Sequence, residues 1–157
     1  MRKRINHDAD FSRIAFSCDS LDLGRIAIFE VSSERCGHPI ESALLPGHGM
    51  GWRAEKPGKQ TIRLLFDQSQ AIISIQLAFF EPAIARTQEY VVRASSDHGQ
   101  SFLEIVRQQW NFHPHGGEME LEHHSINLPA VNIIEVTITP DINNASVYAS
   151  LEKLRLF

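Results

Sequence analysis

The residues best suited to chemistry lie close together at positions 113–118, which read His-Pro-His-Gly-Gly-Glu. Two imidazoles and a carboxylate could hold zinc, iron or manganese if they converged on one point. A closed metal site needs its full ligand set, however, and no histidine follows His124 to complete one. A metal-dependent enzyme is therefore the less favoured hypothesis.

The same region also suits a sugar. A neutral imidazole both donates and accepts hydrogen bonds, as a hydroxyl group does, so His113 and His115 could bind sugar hydroxyls together with Asn111. Trp110 has polar neighbours, and its ring could stack on a pyranose. An exposed loop with solvated histidines is the alternative without a ligand.

Trp52 marks a second candidate region, with His48 and Arg53 close to it in the chain. Its ring could also stack on a sugar. A tryptophan just before a strand more often plugs the bottom of a sandwich, because its large apolar area is costly to expose. The plug is therefore the favoured interpretation of Trp52.

Arg86 lies between two predicted strands and could present a charged fork to a carboxylate, a phosphate or a sugar diol. A surface position or a salt bridge to Glu81 or Glu89 is the alternative. The predicted ligand-binding residues are His48, Trp52, Arg53, Arg86, Trp110, Asn111, His113 and His115.

Other catalytic patterns are missing from the sequence. It has no Gly-x-Ser-x-Gly motif and no glycine-rich phosphate loop. Glu118, Glu120 and Glu122 alternate along one predicted strand, where an exposed acidic ladder is the ordinary explanation. We predict that the chain is not an enzyme and that it needs no cofactor.

The elements that must position these residues are strands. Apolar residues recur with period two from Arg25 onward, and no long amphipathic stretch predicts a helix. Each strand should bury one row of side chains. The predicted inward rows are Ile62, Leu64 and Phe66; Ile73, Ile75, Leu77 and Phe79; Tyr90, Val92 and Ala94; and Ile134, Val136 and Ile138.

Polar segments between these rows predict turns. Residues 67–71 suit a hairpin, and residues 95–99 predict a second one. Within residues 118–124, glutamates alternate with apolar residues, which predicts one strongly solvated face. About eight short strands predict an all-β fold, an antiparallel β-sandwich of jelly-roll type. We expect it to span residues 25–157, after an N-terminal tail at 1–24 with one weak helical turn within residues 8–22.

Several of these features together resemble the discoidin or coagulation factor 5/8 type C-like domain, a galactose-binding-like jelly roll. The matching parts are Ser32-Ser33, Trp52-Arg53-Ala54 before a strand, the turn from Ser95 to Phe102, and the closing strand at 150–157. The resemblance implies a non-catalytic module, carbohydrate-binding through loops at one end of the sandwich. These would be the loops around 48–53, 81–86 and 111–115.

Two other resemblances imply different functions. Trp52-Arg53-Ala54 is similar to the N-terminal domain of a DNA-break repair scaffold, which implies protein or nucleic-acid docking, and Arg63, Arg93 and Arg107 could form a basic stripe. The His-x-His and glutamate pattern is similar to the metal motif of cupins. Many discoidin-like domains bind calcium through an acidic loop, but residues 43–48 lack acidic side chains, so we expect no calcium site.

Composition narrows the partners further. Fifteen Lys and Arg against nineteen Asp and Glu give a formal charge of −4, so no overall positive field attracts nucleic acid or anionic lipid. The sequence contains no run of about 18 apolar residues, so it predicts no membrane-spanning helix. Cys18 and Cys36 fit no zinc pattern and are expected to stay reduced. We expect a cytoplasmic protein with a glycan or other small-molecule ligand. A protein partner is left open, nucleic acid has less support, and a membrane has none.

Overall fold

A computed structural model describes residues 20–157 of the chain. Cys18 and most of the helical turn predicted within residues 8–22 lie outside the described residues. The helices are α1 (Leu23–Ile26) and α2 (Glu41–Leu44). The strands are β1 (Ala27–Val31), β2 (Trp52–Pro57), β3 (Gln60–Glu81), β4 (Arg86–Ser95), β5 (Leu103–Phe112), β6 (Glu118–Thr139), β7 (Tyr148–Leu151) and β8 (Lys153–Leu156).

The strands pair antiparallel, which confirms the predicted all-β sandwich with eight strands in this part of the chain. Both helices are single turns, as expected from a sequence without long amphipathic stretches. Within residues 20–157, neither helix is long and apolar enough to cross a membrane.

Two long strands, β3 and β6, pair with each other and connect the two layers of the sandwich. The first half of β3 and the second half of β6 belong to a sheet ordered β1-β3-β6-β4-β5. The second half of β3 lies between β8 and the first half of β6. Phe79 on this second half contacts Tyr90 of β4, with ring centroids 5.2 Å apart, so the two halves face each other. A small β2–β7 sheet continues beside them.

The hairpin predicted at residues 67–71 is wrong, because β3 bends there without reversing. Its register with β6 shifts three times between residues 65 and 74. Such irregularities bend a strand and can change which face a residue takes. They bury Ile72 completely and leave Ile73 64% exposed, so only the three later members of that predicted row point inward.

The remaining predicted rows are confirmed, and so is the β4–β5 hairpin. Asp97 holds the hairpin turn by accepting hydrogen bonds from the backbone and hydroxyl of Ser101 and from the hydroxyl of Ser95. The inward rows of β3, β4 and β6 meet in one apolar core. Its largest fully buried side chains include Trp52, Tyr90, Phe79, Phe112, Ile62, Leu64, Leu77 and Ile134.

The sequence predicted that the three alternate glutamates of β6 form a strongly solvated face. The structure shows that they do not. Directly opposite residues of an antiparallel pair share a face. Glu120 and Glu122 lie opposite Phe79 and Leu77, which are both fully buried, whereas Met119 is 50% exposed. The glutamates therefore point between the layers. They keep access to water because this half of β6 is the edge of its layer.

Four connections meet at one end of the sandwich, which we call the loop end. Four strand pairs place them there: Gln60 with Ile138, Glu89 with Thr139, Glu81 with Glu118, and Arg86 with Phe112. The four connections are residues 58–59 (β2–β3), 82–85 (β3–β4), 113–117 (β5–β6) and 140–147 (β6–β7).

Candidate functional site

Trp110 supplies a partly exposed aromatic ring at the loop end. It lies on edge strand β5, opposite Gln88 of β4, and is 38% exposed. Its indole Nε1 donates a hydrogen bond to Oε2 of Glu118 at 2.8 Å. The indole has one donor, and this bond uses it, so the ring is restrained by Glu118. The exposed part of the ring is available for stacking.

Glu118 also holds the β5–β6 connection. Its Oε1 accepts a hydrogen bond from the backbone N–H of His113 at 2.8 Å. The hydrogen bonds from Trp110 and His113 lower the pKa of Glu118 below its usual value. The electrostatic effect of the nearby His113 and His115 side chains lowers it further. One ionised carboxylate therefore anchors both the aromatic ring and the loop that carries the two histidines.

Gly117 allows the chain to bring Glu118 back to Trp110. Its φ of 122° is a conformation that other residues rarely adopt, and a Cβ there would lie 3.0 Å from the Phe80 ring. The loop geometry thus depends on glycine at this position.

Asn111 lies next to Trp110 on the strand. Its Oδ1 accepts a hydrogen bond from the hydroxyl of Thr87 at 2.6 Å, which orients the side-chain amide and leaves its nitrogen to donate. His113 and His115 are exposed in the adjoining connection. Successive residues of a strand point to opposite faces, so the Asn111 side chain lies on the other face of β5 from Trp110. We call Trp110, His113, His115 and Glu118 the rim site.

The rim site unites three of the eight residues predicted from sequence, namely Trp110, His113 and His115. Glu118 was not among the eight, because the sequence placed it in an exposed acidic ladder or a metal site. A signal for its orientation was present in the sequence, since Glu118 shares its parity along β6 with the apolar residues Ile126 and Leu128. Those two residues pack against the core, so the row to which Glu118 belongs had to point inward.

Arg86 does not present a charged fork to solvent, so that prediction is corrected. The residue is only 5% exposed, and its Nε donates to Glu81 at 2.6 Å. Its Nη1 donates to Gln88 and to the carbonyl of Pro140, and its guanidinium lies 4.4 Å from the centre of the Phe112 ring. The alternative, a salt bridge to Glu81, is what the structure contains, and it ties three parts of the loop end together.

Trp52 is also unavailable as a platform, because its side chain is fully buried and its indole Nε1 donates to the carbonyl of Ser33 at 3.0 Å. It is the plug that the sequence favoured. Arg53 pairs with Ser150 of β7, and His48 is exposed in the connection before β2. Trp52 begins β2, about 16 Å from the strand's far end at the loop end. The structure therefore does not bring these three residues to the rim site.

A second group of ionisable residues continues from Glu118 into the sandwich edge. Burial raises the pKa of Glu120 to about 7. A hydrogen bond with Glu122 and the negative charge of Glu122 also raise it. The hydroxyl of Tyr90 lies 2.7 Å from Nε2 of His124. Burial, with the charges of Glu122 and Glu120, raises the pKa of Tyr90, so the phenol keeps its proton.

The residues of the rim site do not fit a metal centre. Both oxygens of Glu118 accept hydrogen bonds from protein groups. Across residues 20–157, no group of three or more His, Cys, Asp or Glu side chains is arranged to hold a metal ion.

The three arginines considered for a basic stripe are in ion pairs. Arg63 and Arg93 both bind the buried carboxylate of Glu135, and Arg107 binds Glu89 at 2.8 Å and Glu104 at 2.6 Å. These glutamates neutralise most of the positive charge on that face, so the predicted stripe does not form a basic surface.

Solved structures of several carbohydrate-binding modules have a fold similar to that of this chain. A family 32 carbohydrate-binding module from Clostridium perfringens in complex with GalNAc-β-1,3-galactose has a TM-score of 0.65 at 17% identity, covering 88% of this chain and 99% of that one. The family 32 module of C. perfringens NanJ in complex with galactose has a TM-score of 0.62 at 13% identity, covering 83% and 92%. A chitosan-binding module from a Paenibacillus sp. IK-5 chitosanase/glucanase has a TM-score of 0.60 at 18% identity, covering 86% and 97%. No protein-family model and no curated protein matches the sequence. At these identities the comparison shows the fold alone, a jelly-roll β-sandwich.

Proposed function

We propose that this chain is a non-catalytic carbohydrate-binding module and that the rim site binds the sugar. The observation that carries the proposal is the Trp110 ring, partly exposed at the loop end and restrained by its hydrogen bond to Glu118. A restrained aromatic ring loses little entropy when a sugar stacks on it.

The polar groups around Trp110 match the hydroxyls of a sugar. Each Glu118 oxygen keeps a second lone pair with which to accept a hydrogen bond, and the imidazoles of His113 and His115 can donate or accept one. A few placed polar groups beside an apolar surface are typical of small-ligand sites, since they fix the orientation of the bound molecule.

The charge of the site indicates which sugars it takes. Glu118 is ionised, and Glu120 and Glu122 continue the acidic row from it. A uronate would place a second negative charge beside them, whereas a neutral sugar or an amino sugar would not. We therefore infer that the rim site prefers neutral or amino sugars to uronates.

Similar solved structures support a sugar as the ligand. Two of those compared above are in complex with galactose or GalNAc-β-1,3-galactose, and the third is described as chitosan-binding. Docking to nucleic acid has less support, because the arginines that suggested it are neutralised by glutamates.

Calorimetric titration of Trp110→Ala tests the proposal. The probes are galactose, GalNAc-β-1,3-galactose, a glucosamine tetramer and galacturonic acid. We expect binding to at least one of the first three, and weaker Trp110-dependent binding to the last. Trp110→Ala should lower the affinity about tenfold, which corresponds to the roughly 1.4 kcal/mol expected for ring stacking.

Tyr148→Ala is the matched control, because Tyr148 is an aromatic residue of similar exposure, 45%, on β7. It should bind like the unchanged protein. Equal affinity of the two variants for whichever of the first three sugars binds, or no binding of any of these three by the unchanged protein, would overturn the proposal.

A further inference from the structure

A polar pocket of about 220 Å³ lies on the outer face of the β1-β3-β6-β4-β5 sheet, on the side away from the core. We call it the outer pocket. The lining residues are Lys59 from the β2–β3 connection, Glu89, Val91, Arg93, Glu104, Arg107, Thr137 and Thr139.

The floor of the outer pocket offers free hydroxyl groups. Thr137 lies opposite Val91 on the neighbouring strand, and Thr139 lies opposite Glu89. Their neighbour Ile138 is fully buried, so the two threonines point outward. Within residues 20–157, neither threonine hydroxyl makes a hydrogen bond, and each can both donate and accept one.

The walls carry an excess of positive charge on one side. Arg93 and Arg63 share the single carboxylate of Glu135, which leaves one positive charge uncompensated. Arg93 uses its Nε and Nη2 for Glu135, so Nη1 is left to donate. Lys59 makes no ion pair with any residue of the described chain.

The opposite side of the pocket is already satisfied internally. Arg107 donates to Glu104 through Nε and Nη2 and to Glu89 through Nη1. Arg107 therefore holds both carboxylates, which leaves one negative charge on this side. Together with Lys59 and the group of Arg63, Arg93 and Glu135, the pocket and its ion pairs carry one net positive charge. The donors left for a ligand are the Lys59 ammonium, Arg93 Nη1 and the two hydroxyls of the floor.

We propose that the outer pocket is a second saccharide site that takes one sugar unit bearing a carboxylate. Lys59 and Arg93 bind the carboxylate, and Thr137 and Thr139 bind hydroxyls of the same ring over Val91. The volume is below the roughly 300 Å³ at which pockets for drug-sized ligands begin, so it suits a single unit. This site is separate from the rim site and has the opposite charge preference.

Nuclear magnetic resonance titration with tri-galacturonic acid tests this proposal on the full chain. The backbone amides of residues 59, 91, 137 and 139 should shift on addition of the acid, and the methyl-esterified trisaccharide should produce much smaller shifts. Lys59→Glu should weaken binding at least about fivefold, the factor that one surface ion pair of about 1 kcal/mol supplies.

Lys56→Glu is the matched control, since Lys56 is an exposed lysine on adjacent β2 that does not line the pocket. It should bind like the unchanged protein, and so should Trp110→Ala, which separates this site from the rim site. Equal loss in the two lysine variants, equal binding of the methyl ester, or shifts confined to the rim site would overturn the proposal.

Discussion

Arg86 joins three parts of the loop end without facing the ligand. Its side chain and that of Glu81 are 1% and 8% exposed, so the pair is almost fully removed from water. Glu81 also accepts hydrogen bonds from the backbone N–H groups of Ala83 and Ile84. A buried pair with this many partners fixes geometry, and losing one member leaves an uncompensated charge.

Replacement of Arg86 tests this account. Arg86→Leu should lower the free energy of unfolding by about 3–5 kcal/mol, because Glu81 would be buried without its cation. Arg107→Leu is the control, since Arg107 is 52% exposed and its ion pairs are screened by solvent, so it should change stability little. Chemical denaturation measures both. Equal effects of the two variants would contradict the structural role of Arg86.

Single-residue roles were the hardest to predict from the sequence. Trp52, Trp110 and Arg86 each had a ligand-binding and a structural interpretation, and burial decides between them. Burial depends on which strands pair. Trp52 lies on β2 and pairs with Leu151 of β7, whereas Trp110 lies on edge strand β5. Residue type alone could not distinguish a plug from a platform.

At the scale of elements, β6 combines a core strand and an acidic edge in one chain segment. Its second half buries Ile134, Val136 and Ile138, whereas its first half places glutamates in the same inward direction. The first half tolerates them because it is the edge of its layer and opens towards water. Strand periodicity predicted where β6 lies but not the direction of its acidic row.

The acidic row makes stability depend on pH. The pKa of Glu120 is raised from 4.5 to about 7 in the folded protein, so between these values the folded state holds a proton that the unfolded state releases. Stability should therefore fall as pH rises from about 5 to 8. Glu120→Gln removes the ionisation. Allowing for partial solvent screening, we expect the variant to raise Tm by roughly 2–4 °C at pH 8.

The same variant should change Tm little at pH 5, where Glu120 is already protonated. Glu55→Gln is the control, because Glu55 is an exposed residue of β2. This variant should not change how Tm depends on pH. Thermal unfolding at the two pH values measures the effect. A Glu120→Gln shift of the same size at pH 5 and pH 8 would contradict the assigned pKa.

Glu81 gives the opposite dependence in acid. Burial alone would raise its pKa, but the backbone N–H groups of Ala83 and Ile84 and the Arg86 side chain together lower it. Its stabilising contribution is therefore present above about pH 4.5 and is lost as pH falls through the lowered pKa.

The long strands β3 and β6 explain where prediction from sequence failed at this scale. A hairpin and a bend both need a break in the apolar row, and residues 67–71 provide such a break without glycine or proline. The paired register shows a bend. The β4–β5 hairpin, by contrast, has a dense Ser, Asp and Gly turn, and its prediction is confirmed.

At the scale of the whole molecule, the sandwich separates two chemically different surfaces. The loop end carries the rim site with its acidic row. The outer face of the β1-β3-β6-β4-β5 sheet carries ion pairs and the outer pocket. The fold class followed from strand periodicity and turn residues. The position of the site did not, because it depends on which loops the two bent strands bring to one end.

The most direct test of the central claim is to follow the two indole N–H resonances during a titration with sugar. The chain has two tryptophans, of which Trp110 is at the rim site and Trp52 is fully buried. With galactose, GalNAc-β-1,3-galactose or a glucosamine tetramer as the probe, the Trp110 resonance should shift in a saturable manner. The Trp52 resonance should stay in place and serves as an internal control. A saturable shift of neither resonance with any of these sugars, or of Trp52 alone, would contradict sugar binding at the rim site.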